Sequence, residues 1–231
     1  MFVNLELFHT ENSHVRNLRV LCDIFYKTLK ESALLKSEEI ALIFPNIKEM
    51  LNVHMQFNKD MKKRRREDPL VTNLGDMVVN MFGGVTGESL QKAAATFCER
   101  QQLALEFIKE KRKRDAKFEA LLVECEKKRQ CRRLPLQGII PTEMQRLSKY
   151  PLLLERLISS IEGDTPHAQE ELAKLKRAHN LSKEILNYVN EAAKVAFNKA
   201  RLEDIQRHLD TTNFERSDHP ITQEFRVSNV A

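Results

Sequence analysis

IIPTEMQRLSKYPLLLERLISSI, residues 139–161, decides the fold. Ile140, Met144, Leu147, Leu154, Ile158 and Ile161 recur at three- and four-residue steps and so line one stripe of a helix. Thr142, Gln145, Lys149 and Arg156 fall on the opposite side, and Leu152 lies among them. Pro151 removes the amide that would bond the Leu147 carbonyl, at a cost of about 3 kcal/mol in a helix interior. A core helix that keeps an internal proline and an apolar residue on its outer face points to a surface that another protein covers.

Working toward the amino terminus, 127–133 is basic and irregular, and Pro135 with Gly138 closes it. Residues 115–126, with Phe118, Leu121 and Leu122, and residues 88–113, with Leu90, Ala94, Phe97, Leu105 and Ile108 as core, both read as helices. Gly83, Gly84 and Gly87 mark a break after a short helix that starts at Asp68-Pro69 and ends near Phe82. A helix over 37–64 is expected to open with Ser37 as its N-cap and to bend or break at Pro45. The first helix is expected over 2–30, with Phe8, Val15, Leu18, Cys22, Phe25 and Leu29 on one stripe. Glu11 falls on that apolar stripe. A carboxylate there is costly unless it is paired, hydrogen-bonded or open to a partner, and pattern alone favours pairing with a core lysine or arginine.

Toward the carboxyl terminus, Thr165 caps and Pro166 opens a helix running to about Leu209, long enough to project beyond a compact body. Asn187, Asn190, Lys194, Asn198 and Arg201 share about one quadrant of it, while Leu181, Ile185, Leu186, Val189, Ala193 and Ala196 lie on the other side. Most polar stripes are merely solvated. Three asparagines, poor helix formers, suit a contact surface better. Residues 217–231 lose periodicity and read as a linker or cut end.

Composition agrees with an all-α chain. Its 231 residues include only six glycines and seven prolines, and 31% are charged; this favours long helices. No apolar run is long enough for a membrane span. Cys22, Cys98, Cys125 and Cys131 have neither CxxC nor zinc-finger spacing, so no metal is expected and a reduced, cytoplasmic setting is. The net charge of +5 favours acidic partners. Basic runs at 62–66, 109–117 and 127–133 carry no stacking aromatics, which argues against nucleic acid. No nucleophile–base pair or phosphate-cradling loop is present, so neither covalent chemistry nor a cofactor is expected.

The segment Glu143-Met144-Gln145-Arg146-Leu147-Ser148-Lys149-Tyr150-Pro151-Leu152-Leu153-Leu154 resembles the third conserved region of the Dbl-homology (DH) domain of Rho guanine-nucleotide exchange factors, with Ser148 where threonine is usual. The resemblance runs from Leu7-Phe8-His9-Thr10-Glu11 to Arg201-Leu202-Glu203-Asp204. Ala93-Ala94-Ala95-Thr96-Phe97-Cys98 and Cys131-Arg132-Arg133-Leu134 are similar to the branch that carries an RGS-like domain and acts on RhoA. It implies an elongated, flattened helical bundle over 1–212, followed at 213–231 by a connection toward a pleckstrin-homology domain. It implies exchange on a Rho-family GTPase, RhoA first, by a monomeric domain that reaches the plasma membrane only indirectly, through domains outside this sequence. By the resemblance, Glu11 matches the first-region glutamate and, left unpaired, engages switch I, while Lys149 and Asn190 hold switch II. Lys194 and Arg201 match Rho-contacting positions; Gln145 and Leu152 share the face of Lys149, and Arg132 and Arg133 are candidates for pairing with acidic residues of RhoA. The competing expectation is a helical scaffold that binds a GTPase or another acidic protein without promoting exchange.

Overall fold

The computed structural model describes residues 2–69, 73–161, 163 and 165–208. Among them every regular element is helical. The first helix, α1 (Phe2–Val20), passes through a π-helical turn at Leu21–Tyr26 into α2 (Lys27–Glu31), so the expected 2–30 helix is continuous but locally widened. The turn buries Leu21, Cys22, Ile24 and Phe25. A π turn adds a residue per turn and shifts the side chains that follow it around the axis.

Pro45 does break the second helical pattern, into α3 (Ser37–Ile43) and α4 (Ile47–Glu67). Ser37 is not the cap. The Lys36 amide donates to the Glu39 carboxylate at 2.7 Å, so the acidic third residue satisfies the helix start instead. Asp68 ends α4, its amide bonding the Arg64 carbonyl, rather than starting the next helix; α5 begins only at Gly75 and runs to Phe82.

The glycine break is short, because α6 (Gly84–Cys98) starts at once and contains Gly87. A Cβ on Gly87 would stand 2.2 Å from the Phe82 carbonyl oxygen. The close turn between α5 and α6 therefore requires glycine there. The single helix expected over 88–113 is two, α6 and α7 (Gln101–Arg114), and Asp115 caps α8 (Ala116–Glu126) by accepting from the Lys117 and Phe118 amides. After a 3-10 turn at Arg129–Cys131 and the four-residue α9 (Leu136–Ile139) comes α10 (Thr142–Ser159), with Pro151 buried inside it.

The last helix, α11 (Pro166–His208), holds 43 residues, about 65 Å of helix. Ala168 donates to the Thr165 hydroxyl, as expected of the cap. Its buried residues, Glu171, Leu175, Ala178, Ser182, Ile185 and Val189, recur at alternating four- and three-residue steps. That seam packs on α5, α6 and α10. Buried Glu171 accepts from the Leu74 and Gly75 amides at 2.6 and 2.7 Å, fixing the start of α5 against α11. No described residue of α11 after Val189 is fully buried; Ala192 and Ala193 still pack half-buried against the core one turn on, and α11 continues beyond them to His208. The expected end near Leu209 and the connection at 213–231 lie outside the described residues. Among the described residues no helix is long and apolar enough to cross a membrane.

Candidate functional site

Where α1, α4 and α10 meet, the core is charged. Glu11 is fully buried (0% exposed), as are His54 and Glu143, with His14 and Arg146 nearly so. One Glu11 oxygen takes the Arg146 Nε–H at 2.8 Å and the Tyr150 hydroxyl at 2.7 Å; the other lies 2.9 Å from His54 Nδ1. His54 Nε2 faces Glu143 at 3.1 Å, and His14 Nε2 donates to the second Glu143 oxygen at 2.8 Å. Both His54 nitrogens therefore donate to carboxylates, which is the imidazolium form.

Electrostatics follow the geometry. Burial pushes the Glu11 carboxyl up, but the Arg146 guanidinium and His54 outweigh it and hold it at about 2. Burial pushes His54 down, yet Glu143 and Glu11 on either side hold it at about 10. Glu143, although burial again opposes, is held low by His54 and His14. His14 is lowered chiefly by burial. Two carboxylates, one imidazolium and one guanidinium make the cluster neutral, which is how buried charge is tolerated. The ligand atoms of His14, His54 and Glu143 lie within 4.8 Å of one another. In the imidazolium form His54 Nε2 donates to Glu143 and has no lone pair to offer a metal ion.

The expectation that Glu11 stands unpaired and open at the seam is therefore corrected. Three partners from α4 and α10 seal it inside, so it cannot touch another protein in this arrangement. The pairing that periodicity alone favoured is the one found, with arginine as the principal cation. Sequence reading missed His14, His54, Glu143, Arg146 and Tyr150. The available signal was Glu143, Arg146 and Tyr150 at three- and four-residue steps, facing inward beside Leu147.

The other expected residues are on the surface. Gln145, Lys149, Leu152 and Arg156 follow one another at four, three and four residues along the outside of α10, all exposed. Leu152 is 57% exposed, a large apolar group in a row of polar ones. Asn187, Asn190, Lys194, Asn198 and Arg201 are exposed on α11, the helix packed beside α10. Lys194 makes only a loose 3.6 Å pair with Glu191. Arg132 and Arg133 are exposed in a turn where both adopt left-handed φ, 50° and 64°. Such φ values are uncommon outside glycine and asparagine and push both side chains off the helical path.

From α1, the acidic group that does reach the edge of this surface is Glu6. It is 44% exposed and meets Arg156 of α10 at 3.2 Å across the α1–α10 boundary. A link runs inward from there. The Thr10 hydroxyl donates to the Glu6 carbonyl at 2.7 Å and accepts from Arg146 at 2.8 Å, and Arg146 holds Glu11.

A charged core under α10 and an exposed stripe across α10 and α11 characterise this all-helical domain. The chain belongs to the RhoGEF domain family, whose profile matches residues 3–190. Human Rho guanine nucleotide exchange factor 11 is 46% identical over 221 residues, covering 96% of this chain and 14% of that protein. Human Rho guanine nucleotide exchange factor 12 is 43% identical over 223 residues, with the same coverage of 96% and 14%. Among solved structures, the PDZ-RhoGEF DH/PH domains in complex with GTP-gamma-S activated RhoA match at a TM-score of 0.90 and 45% identity, over 99% of this chain and 62% of that one. The family expected from the 143–154 segment is the one found. The chain spans 14% of the length of these two curated relatives.

Proposed function

We propose that this domain promotes GDP release from a Rho-family GTPase, RhoA first, by binding it across the exposed face of α1, α10 and α11. The observation that carries the reading is Leu152, a half-exposed apolar side chain flanked by Lys149 and Arg156 on a helix whose other side is core. An apolar centre in a polar rim is the anatomy of a protein interface. Lys149 and Asn190 engage switch II, Gln145, Lys194 and Arg201 extend the contact, and Arg132 and Arg133 supply steering charge at its edge. Glu6 takes the switch I role that the resemblance gave to Glu11. Its exposed pair with Arg156 contributes about 0–1 kcal/mol, so an incoming partner replaces it at little cost. Glu11 is a positioning residue that fixes Arg146 and, through it, Thr10.

The chemistry is non-covalent. A partner that binds the nucleotide-free GTPase more tightly than the GDP-bound form must weaken GDP binding by the same factor. A cytoplasmic protein recruited to the plasma membrane fits this role. The competing reading, a scaffold that binds without promoting exchange, shares the same exposed face. Release of fluorescent GDP from RhoA separates them: the exchange factor raises the rate, and a scaffold leaves it at the intrinsic value.

A further inference from the structure

On α4, Met55, Lys59, Lys62 and Arg66 follow at steps of four, three and four residues and are all exposed. One line of the helix thus carries them for about 16 Å. With Arg19 of α1 they border a shallow open groove between the two helices. A neighbouring depression along the same pair is bordered by Lys62, Arg65, His9 and Leu5. Both lie on the α4 flank of α1, whereas Glu6 and Thr10 reach toward α10.

These cations are not used internally. In the 109–117 run, Arg112 is committed to Glu119 and Glu126, Lys111 to Asp115 and Lys113 to Glu110. Within 62–66, Lys63 reaches Glu67 and Arg64 reaches Asp68. Arg19, Lys59, Lys62, Arg65 and Arg66 make no ion pair among the described residues. Favourable charge at the α4 carboxyl end accounts for the last turn. It does not account for Lys59, Lys62 or for Arg19 on another helix.

We propose that this α1–α4 face docks on an anionic lipid bilayer. Five unneutralised cations on two adjacent helices attract acidic headgroups, and the exposed Met55 and Leu5 beside them enter the interfacial layer. Base stacking has little to work with: Phe8, the one phenylalanine, tyrosine or tryptophan bordering either groove, is buried, and the lone exposed imidazole of His9 is no row of rings. Docking this way leaves the α10–α11 side free, so bilayer and GTPase are held at once. It adds a direct contact to whatever other domains supply.

The test is co-sedimentation of the 231-residue chain with phosphatidylcholine vesicles, with and without phosphatidylserine. Binding is expected only with phosphatidylserine and is lost in high salt. Each basic side chain near such a surface is worth about fivefold in partitioning, so Lys59→Glu/Lys62→Glu/Arg66→Glu lowers it at least about a hundredfold. The milder Lys62→Gln/Arg66→Gln gives a smaller drop, and vesicle-free GDP release by either variant stays unchanged. Equal sedimentation with neutral vesicles, wild-type partitioning by the triple variant, or tighter binding to an oligonucleotide or an acidic peptide than to the vesicles would overturn the proposal. Vesicle binding without any GDP release would overturn the exchange reading alone.

Discussion

Arg146 Nε donates to a Glu11 oxygen at 2.8 Å, joining the first helix to the tenth across 135 residues of sequence. The contact converts the most anomalous residue of the first helix from a surface ligand into the centre of a closed charge network. It decides between the two alternatives the sequence left for this glutamate, a paired core carboxylate and an unpaired surface ligand, in favour of the first.

Glu11→Ala leaves His54 and Arg146 charged and buried with one carboxylate fewer. Removing one partner of such a cluster typically costs about 3–5 kcal/mol. Thermal unfolding followed by circular dichroism is expected to show a large drop in melting temperature, with exchange lost in proportion to unfolding. An unchanged melt would mean that Glu11 is not bound as described.

Stability is expected to peak near pH 6.5. The raised pKa of His54, about 10, makes its contribution complete below the ordinary histidine value of about 6.5 and lost as pH climbs toward 10. His14, lowered by burial, acts oppositely: the unfolded chain takes up its proton first, so stability falls below about pH 6.5. The depressed carboxyl of Glu11 adds stability above about pH 4.5 that disappears on acidifying toward 2. Melting temperatures across pH 4–9 check the shape; a monotonic rise or fall contradicts it.

Much of this was legible beforehand. Helix content, the Pro45 and glycine breaks, the Asp115 and Thr165 starts and the outward row Gln145, Lys149, Leu152 follow from periodicity and local chemistry. The charge network was not, because Glu11, His54 and Glu143 come together only when α1, α4 and α10 pack. A single helix shows that a carboxylate faces inward; it does not show which cation meets it. Likewise, nothing in the 88–113 pattern marks the break at Glu99-Arg100, where both residues suit a helix interior.

Lys149→Ala, Asn190→Ala and Leu152→Glu alter exposed side chains that make no side-chain hydrogen bond or ion pair among the described residues. Each is expected to weaken association with nucleotide-free RhoA by about tenfold or more, with the melting temperature within about 1 °C of the parent. Surface plasmon resonance measures this; wild-type affinity in all three would move the interface elsewhere.

Arg132→Glu/Arg133→Glu is expected to slow association more than it speeds dissociation, and the defect is expected to shrink as salt rises. Rates collected over a range of ionic strength decide it, and a salt-independent loss would mean that the arginines make close buried contacts instead.

The most direct measurement is fluorescent GDP release from RhoA by Glu6→Ala, with its melting curve recorded alongside. Release is expected to fall at least about thirtyfold, as for loss of a central interface contact, while the melt stays at the parent value. Parental release rates in a fully folded Glu6→Ala protein would contradict the assignment of the outer carboxylate to the partner and the inner one to the core.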